Sequence, residues 1–401
     1  MFYRNEKWRV LILTFGLTLT ACAPASTQPT LIATNPPPPT SITETPTSLP
    51  IETPPRGAER EFTTDFSKRS VSYREILSGG PPKDGIPALK DPQFVSVSKA
   101  DPWLKPAEPV ILVQVGDDAR AYPIQILIWH EIVNDTVGGE PLAVTFCPLC
   151  NTAIAFKRTV NDQVLDFGTT GRLRYSNLIM YDHQTETWWQ QATGEAIAGE
   201  MTGTQLEFYP AVILSWQDFK AVYPDGKVLS RETGYPRAYG NNPYIGYDDV
   251  NNPPFLYQGP VTPGQLPPVA RVLTVDLNGK AVAYPYETLE NIGVVNDAVG
   301  GQAIVVFWQA GTVSPLDGAT TASGRDIGAA AAFSRTVGEQ TLTFISDHGV
   351  IKDNDTGSTW NVLGIAESGP FAGTQLSPVV SINHFWFSWA AFRPETRIYL
   401  P

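Results

Sequence analysis

The second half of the chain repeats a pattern that is present in the first half. Residues 119–145 and 281–307 align without a gap at an offset of 162, with twelve identities in twenty-seven positions. A repeat of this length indicates that two segments share one architecture. We therefore predict an internally duplicated domain, with a first copy at 62–230, an ordered loop or linker at 231–268, and a second, degenerate copy at 269–401.

Local patterns predict mostly strands. Apolar runs at 110–115 and 119–122 are separated by a short Gly-Asp-Asp turn, and runs at 272–277 and 281–284 are separated by Asn-Gly. Asn-Gly between two apolar runs is typical of a β-hairpin, because both residues tolerate positive φ. The fold class that follows is mainly β with a few short helices, a β-rich α+β protein.

One helix is predicted with defined ends. Ser215 and Asp218 form a capping box, in which a side chain satisfies a main-chain amide at the start of a helix. The helical pattern continues through Val222 and is stopped by the Pro-Asp-Gly turn at 224–226.

Composition and charge exclude some classes of protein. The chain has 28 Lys and Arg against 40 Asp and Glu, which gives a net charge of −12. A nucleic-acid binder needs a dense basic surface, so nucleic acid is excluded as a partner. The 42% of hydrophobic residues is enough to form a core. No run of about eighteen apolar residues is present, so no transmembrane helix is expected.

The N-terminal segment is typical of an exported lipoprotein. Basic residues precede a short apolar run that ends in the lipobox sequence Leu-Thr-Ala-Cys at 19–22, an order that indicates a signal peptide. We predict that residues 1–21 are cleaved and that Cys22 carries diacylglyceryl and an N-acyl chain such as palmitate. The lipid would anchor the protein to the outer face of the membrane, and the Pro- and Thr-rich residues 22–61 would be an extended tether. The alternative is an ordinary secretory peptide with a chance cysteine.

Several motifs occur together in the first copy. They are WHEIVND at 129–135, Gly-Gly at 138–139, VTFCPLCNTA at 144–153 and shorter motifs that extend to Trp189. With these motifs the sequence resembles the domain-of-unknown-function family 3179, strongly over 104–229 and weakly in the second copy. The resemblance implies a protein of a kind that is often exported from prokaryotic cells, and it implies no particular activity. One departure is His183, which stands where members of the family usually carry arginine.

The pair Cys147 and Cys150 in Cys-Pro-Leu-Cys has three interpretations. A thioredoxin-type redox pair lies at a helix N-terminus, which lowers the pKa of a thiol, but strands are predicted at 142–146 and 152–156. A strand–turn–strand setting favours a metal knuckle, for which Asn151 can supply left-handed backbone after the turn. A structural disulfide is the third interpretation.

A metal site needs further ligands, and the sequence contains four histidines. His130 precedes Cys147 by seventeen residues, and a turn at the intervening Gly-Gly would bring the two together. We predict a tetrahedral zinc or copper site with Cys147, Cys150 and His130, completed by His183 or by a carboxylate such as Asp182. For His130 alone, the competing interpretation is a buried imidazole whose hydrogen bonds are satisfied.

None of the reactive residues near the cysteine pair of the first copy is kept in the second copy. At the same offset, the pairs are Trp129 with Asn291, His130 with Ile292, Glu131 with Gly293, Cys147 with Gln309, and Cys150 with Thr312. A site confined to the first copy would produce this pattern, and so would drift of unneeded residues.

Residues that both copies keep are interpreted as scaffold. Asn134 and Asp135 recur in the second copy and are expected to form turns. Asn134 also stands where the motif H-E-x-x-H would need its second histidine after His130 and Glu131, in a segment that is expected to be a strand, so a zincin is excluded.

Three functions remain open. The first is metal binding, as a carrier or as a redox-active or catalytic centre. The second is thiol–disulfide exchange by Cys147 and Cys150 without metal. The third is a non-enzymatic surface module that binds a glycan or a protein, with the cysteines as a staple. Its binding surface would be a set of aromatic and amide residues that core packing also explains: Tyr175, Tyr181, Trp188, Trp189, Gln190, Gln191 and Trp216.

Overall fold

The computed structural model describes residues 52–401. The fold is mainly β with a few short helices, as predicted. The signal peptide, Cys22 and the tether up to residue 51 lie outside the described residues. Within residues 52–401, no helix is long and apolar enough to cross a membrane.

The helices are short, and those after α1 each follow the end of a strand. Over residues 52–401 they are α1 Ala58–Glu61, α2 Val97–Ala100, α3 Ile124–His130, α4 Trp216–Val222, α5 Tyr286–Ile292 and α6 Trp386–Ala390.

Strands make up most of the regular structure. Before residue 231 they are β1 Ile76–Ser78, β2 Leu89–Lys90, β3 Phe94–Ser96, β4 Pro109–Val115, β5 Asp118–Pro123, β6 Ile132–Val137, β7 Glu140–Cys147, β8 Thr152–Lys157, β9 Thr159–Val160, β10 Gln163–Val164, β11 Phe167–Arg174, β12 Asn177–Asp182, β13 Trp188–Gln190, β14 Glu195–Ala198, β15 Phe208–Tyr209, β16 Val212–Ser215 and β17 Lys227–Leu229. After residue 268 they are β18 Arg271–Leu277, β19 Lys280–Pro285, β20 Val294–Val299, β21 Gln302–Gln309, β22 Ala329–Ser334, β23 Thr336–Val337, β24 Gln340–Thr341, β25 Phe344–Asp347, β26 Val350–Asp353, β27 Thr359–Trp360, β28 Ala366–Ser368, β29 Pro378–Val379, β30 Ile382–Phe385 and β31 Arg397–Ile398.

The same run of elements occurs in both halves. The hairpin β4–β5, helix α3 and hairpin β6–β7 recur as β18–β19, α5 and β20–β21, each displaced by 162 residues. These are the hairpins that the apolar runs predict. The two helices, in contrast, fall in a segment where no helix was expected.

One sheet runs through both halves. Its strands follow the order β2-β6-β7-β8-β30-β18-β19-β31, and Asn383 of β30 pairs with Ala153 of β8. Two five-stranded sheets of the first half have the orders β16-β4-β5-β17-β3 and β1-β11-β12-β13-β14. The apolar core around α3, β6, β7 and β8 includes Cys147 and Cys150, so the candidate site lies inside the fold and not at its rim.

Asn134 and Asp135 lie in the middle of β6, so the expectation that they form turns is wrong. Asn134 donates to the main-chain oxygen of Phe167 at 2.8 Å, and the phenol of Tyr122 donates to Asp135 at 2.6 Å. These side chains tie neighbouring elements together, which explains why both halves keep them.

The packed part of the chain begins before Phe62. Helix α1 falls within the segment assigned to the tether, and Ala58 is fully buried in an apolar cluster with Phe62 and Trp188. The Glu52 carboxylate accepts a hydrogen bond from the amide of Tyr73 at 2.7 Å. Residues 52–61 therefore pack against the body, and the part of the predicted tether before residue 52 lies outside the described residues.

The predicted helix cap is confirmed and supports a stability prediction. The Ser215 hydroxyl accepts a hydrogen bond from the Asp218 amide at 3.1 Å. We expect Ser215→Ala to lower the free energy of unfolding by about 1 kcal/mol, because the amide loses its partner. Ser96 is the matched control, since it precedes α2 without a side-chain cap, and Ser96→Ala should change stability by less than about 0.5 kcal/mol. Urea unfolding of both variants checks this, and equal losses would contradict it.

Candidate functional site

The Cys-Pro-Leu-Cys segment forms a tight turn between two strands. Cys147 ends β7, Pro148–Cys150 make one turn of 3₁₀-helix, and Asn151 adopts φ 50° before β8 begins. The strand–turn–strand setting and the left-handed Asn151 are as predicted. Cys147 precedes only this single 3₁₀ turn, and residues 140–157 contain no α-helix whose N-terminus could lower the pKa of a thiol.

Both cysteines are buried thiols that point at one strand end. The Cys150 Sγ lies 3.2 Å from the Ser176 carbonyl oxygen, and the Cys147 Sγ lies 4.0 Å from the same oxygen. Burial raises the pKa of Cys147, and interaction with Cys150 raises it further, as expected for neighbouring thiols. The pair is therefore close enough to react as a unit.

His130 is turned away from the cysteines. It is the last residue of α3 and does not lie in a strand. Its Nδ1 lies 2.7 Å from the Pro87 carbonyl oxygen and its Nε2 lies 2.6 Å from the Tyr239 hydroxyl. Because a carbonyl can only accept, Nδ1 carries the proton and Nε2 accepts from Tyr239. Both ring nitrogens are occupied, and burial lowers the pKa of His130 to about 4.

His183 and Asp182 lie at the wrong end of β12. The sulfurs contact Ser176 next to the start of this strand, whereas Asp182 is its last residue. At roughly 3.3 Å per residue, the two ends are about 20 Å apart. The Asp182 carboxylate accepts from the Thr185 amide at 2.6 Å and from the Trp189 indole at 2.9 Å.

The predicted four-ligand metal set is therefore not assembled. Cys147 and Cys150 are adjacent, but His130 and His183 are held elsewhere. Among residues 52–401, no group of three His, Cys, Asp or Glu side chains is placed to hold a metal ion. The predicted site grouped residues that are near one another in the sequence. In the structure, α3 directs His130 away from the cysteines, and β12 places His183 at its far end.

Glu131 was counted among the reactive residues of the first copy, but sequence reasoning did not assign it to the site. Its main-chain oxygen accepts from the Phe146 amide at 2.8 Å, which places it next to Cys147. Its side chain is 8% exposed, and its carboxylate has no hydrogen-bond partner among the described residues. Burial raises the pKa of Glu131 to about 8. The sequence feature that could have indicated a special role for Glu131 is its alignment with Gly293 in the second half.

The backbone at Glu131 is of a kind that favours glycine. Glu131 ends α3 with φ 58°, and Gly293 ends α5 with φ 69°. In each case the amide donates to a leucine carbonyl four residues earlier at 2.7 Å. The first half thus carries a buried acid where the local conformation suits a residue without a side chain.

The electrostatic environment keeps Cys147 protonated. Burial is the main cause that raises the pKa of Cys147, followed by the hydrogen bond and charge of Cys150 and by the charge of Glu131. An activated cysteine of the thioredoxin type has a lowered pKa. Reaction of Cys147 at neutral pH therefore needs a proton acceptor, and Glu131 is the ionisable carboxyl whose charge reaches it.

A cavity lies beside Glu131 under the loop that joins the halves. We call residues 231–268 the covering loop. The cavity has a volume of about 220 Å³ and is lined by Glu131, Leu149, Tyr244 and Phe255 among others. The loop was expected to be ordered, and residues 231–268 contain no strand or helix.

Polar contacts hold the covering loop over the cysteine turn. The Tyr247 hydroxyl donates to the Leu149 carbonyl at 2.9 Å and accepts from the Phe255 amide at 3.3 Å. The Ser176 hydroxyl donates to the Phe255 carbonyl at 2.5 Å. Cys147 is 1% exposed and Cys150 is fully buried.

The aromatic surface expected for a binding module is not at the surface. Trp188, Trp189 and Trp216 are fully buried, as are Gln190 and Gln191. Core packing is therefore the correct interpretation of this run, and these side chains do not form a ligand cleft.

The fold and site define a mainly β protein with a buried pair of thiols next to a buried carboxyl. The chain belongs to the family of proteins of unknown function DUF3179, whose family model matches residues 83–396. The resemblance drawn from the first-copy motifs is thereby confirmed. No curated protein and no solved structure matches the chain.

Proposed function

We propose that this protein is a thiol–disulfide exchange protein in which Cys147 and Cys150 form the reactive pair and Glu131 carries the proton. The observation that carries the proposal is the Glu131 carboxyl, which makes no hydrogen bond to another described residue, lines the cavity, and, after burial and Cys150, raises the pKa of Cys147 through its charge. A base with a pKa near the working pH is the group that such chemistry needs.

Glu131 is costly for the fold, which supports a functional role. A non-glycine residue held at unusual positive φ costs about 1–3 kcal/mol, and an unpaired buried carboxyl adds a desolvation cost. Strain and perturbed pKa values are concentrated at functional sites. Gly293 occupies the corresponding position without either cost.

The exchange is balanced without a metal or a cofactor. The Glu131 carboxylate takes the proton of the Cys147 thiol, and the thiolate attacks one sulfur of a substrate disulfide. The substrate S–S bond breaks, a Cys147–substrate disulfide forms, and the leaving thiolate receives the proton from Glu131. Cys150 then loses its proton to Glu131 and attacks Cys147, and the second substrate thiol leaves with that proton. Two electrons and two protons pass from the pair to the substrate, and the reverse direction oxidises a dithiol.

A second candidate is copper(I) held by the two thiolates. Its supporting observation is that both sulfurs approach the Ser176 carbonyl, while among residues 52–401 no third His, Cys, Asp or Glu side chain, Glu131 included, is close enough to complete a metal site. Soft thiolate ligands select copper(I). A zinc site has less support, because the tetrahedral set with His130 and His183 is not assembled.

A redox titration of the full chain tests the proposal. We expect the pair to interconvert between two thiols and one disulfide in glutathione buffers, with a midpoint within the range of catalytic and labile disulfides, roughly −120 to −270 mV. A disulfide that resists reduction in this range would contradict the proposal and leave a structural staple. Elemental analysis of protein purified without chelator distinguishes the second candidate, since one equivalent of copper that is lost in Cys147→Ser would favour it.

We also propose that the chain is exported and held on the outer face of the membrane by lipid on Cys22. The support is the lipobox at 19–22 after a basic and apolar leader. Such a location is oxidising, which suits a thiol–disulfide protein.

The lipid anchor leads to a direct prediction. Cys22→Ser should remain uncleaved at the lipobox and incorporate no labelled palmitate, because the cysteine sulfur carries the diacylglyceryl group and cleavage and N-acylation follow its attachment. Metabolic labelling and detergent-phase partition of the full chain measure both effects. Thr20→Ser is the matched control and should label normally, whereas labelling of Cys22→Ser would contradict the anchor.

We further infer that the two halves arose by internal duplication. The support is the constant offset of 162 residues between the sequence repeat and the elements from β4 to β7 and from β18 to β21. A shared hydrogen bond adds to it: the Tyr284 phenol donates to Asp297 at 2.8 Å, as Tyr122 does to Asp135.

A further inference from the structure

We propose that the second half holds a separate binding site for an uncharged saccharide. A cavity of about 410 Å³ lies at the end of α5, where Gly293 and the last residues of β21 meet the turn between β25 and β26. Its position and its polar side chains carry the inference, which goes beyond the thiol–disulfide function and does not depend on it.

The cavity corresponds in position to the cysteine site. Gly293 replaces Glu131, and Gln309 replaces Cys147 at the same offset. Asn296 donates to the Phe344 carbonyl at 2.7 Å, as Asn134 does to Phe167, so the hairpin β25–β26 is attached like β11–β12.

Differences in side chains and hairpin length explain why this cavity is larger. Gly293 has no side chain where Glu131 carries its carboxyl, and the Ser346 hydroxyl takes part of that space, since a Cβ on Gly293 would come within 2.6 Å of it. The hairpin β25–β26 turns at His348 and Gly349 after four residues, whereas β11 continues for eight. The longer hairpin brings Ser176 over the cysteines, and the shorter one leaves the second cavity uncovered.

The lining suits a ligand with hydroxyl groups. Glu290 and the Ser346 hydroxyl make no side-chain hydrogen bond to another described residue, and Gln309 uses only its amide nitrogen, at 3.3 Å from Asp218. These groups can accept from and donate to sugar hydroxyls. Among the described residues that line the cavity there is no lysine or arginine, so an anion is not favoured.

Trp308 supplies an aromatic wall. Its indole nitrogen donates to the Ile327 carbonyl at 3.2 Å, and Gly328 lies against the ring, where a Cβ would approach within 2.3 Å. The ring is therefore fixed in place, and it can pack on the apolar face of a pyranose. Small-molecule sites typically have volumes of about 300–1,000 Å³ with aromatic walls and a few polar groups, and the cavity falls within this range.

Titration of the full chain with glucose, galactose and N-acetylglucosamine, followed by saturation-transfer NMR, tests the proposal. We expect at least one sugar to bind at roughly millimolar concentration. Glu290→Ala should weaken binding about tenfold, the loss expected for one hydrogen bond to a charged group. Glu287→Ala on the same helix is the matched control and should bind like the wild type, since Glu287 does not line the cavity.

Two further measurements keep the outcome specific. Trp308→Leu should abolish the saturation-transfer signal. If Trp308→Leu does not fold, Glu290→Ala still tests the site, because Glu290 is exposed and its substitution should not disturb the fold. Glu131→Gln should leave sugar binding unchanged, which separates this site from the thiol–disulfide function. The proposal would be overturned if none of the three sugars bound at roughly 10 mM, or if Glu290→Ala bound them as tightly as the wild type. It would also be overturned if the site bound the cation tetramethylammonium through Glu290 and did not bind the sugars.

Discussion

Glu131→Gln is expected to slow the reaction of the cysteine pair with a disulfide by roughly 10²–10⁴-fold, the usual contribution of a positioned general base. The thiol of Cys147 stays protonated at neutral pH because burial, Cys150 and Glu131 all raise its pKa. Glutamine has nearly the same shape as glutamate but cannot take the proton. The rate of disulfide formation with oxidised glutathione, followed by thiol counting, measures the loss.

The pH dependence distinguishes a base from a structural residue. The wild-type rate should rise with pH through about 8, as the Glu131 carboxyl loses its proton. The Glu131→Gln variant should show no inflection near this pH. Glu140→Gln, on the strand that leads to Cys147, is the matched control and should keep the wild-type profile. An unchanged inflection in Glu131→Gln would show that another group accepts the proton.

The same substitution should stabilise the fold. The pKa of Glu131 is raised from 4.5 to about 8 on folding. The loss of folding stability caused by the Glu131 carboxyl is therefore absent below pH 4.5. It grows as the pH rises, because the carboxyl ionises in the unfolded chain and stays protonated in the folded one, and it is complete above about pH 8. At 1.36 kcal/mol per pH unit, it reaches on the order of 3 kcal/mol at pH 7. Urea unfolding should show Glu131→Gln to be more stable than the wild type at pH 7 and equal to it below pH 4.5. A less stable variant would contradict an unpaired carboxyl.

Local sequence patterns were sufficient for the hairpins and for one helix. The Asn-Gly turn between β18 and β19 and the Ser215 cap of α4 depend on residues that are adjacent in the chain. The mainly β class followed from the same patterns. These features need no tertiary information, which is why they could be predicted.

Helix α3 could not be predicted because it has no polar face. Six of its seven residues are buried, including Gln125 and His130, so the helical period that identifies an amphipathic helix is absent. This error placed His130 in a strand and made it a plausible ligand next to Cys147. The helix instead directs the ring towards Pro87 and Tyr239.

The cysteine pair of the candidate site could be predicted from the sequence, whereas its carboxyl could not. The turn at Cys147 and Cys150 was predicted from its composition, and its setting between β7 and β8 is confirmed. Glu131 could not be recognised, because its positive φ and its burial arise from the packing of α3 against β7. Its alignment with Gly293 was the available clue, since glycine at a helix end indicates a left-handed backbone.

Cys150→Ser is expected to accumulate a mixed disulfide on Cys147 that approaches one equivalent, whereas Cys147→Ser should accumulate almost none. The asymmetry follows from the position of Glu131, whose charge acts on Cys147 and which can take the proton of that thiol. In Cys150→Ser the resolving thiol is absent, so the glutathione adduct on Cys147 cannot be released. Mass spectrometry of the intact chain after incubation with oxidised glutathione measures the adduct.

The matched pair of variants also tests which cysteine attacks. Both thiols are buried under the covering loop, so poor access alone would slow the two variants equally. Equal trapping in both would show that Glu131 does not select Cys147. If the adduct formed only in Cys147→Ser, Cys150 would be the attacking cysteine. Cys150 is near Tyr247, and the pKa of Tyr247 is raised by burial and then by the charge of Cys150. Adding Glu131→Gln to Cys150→Ser should slow formation of the adduct without changing its final amount, because a base changes the rate of exchange and not its equilibrium.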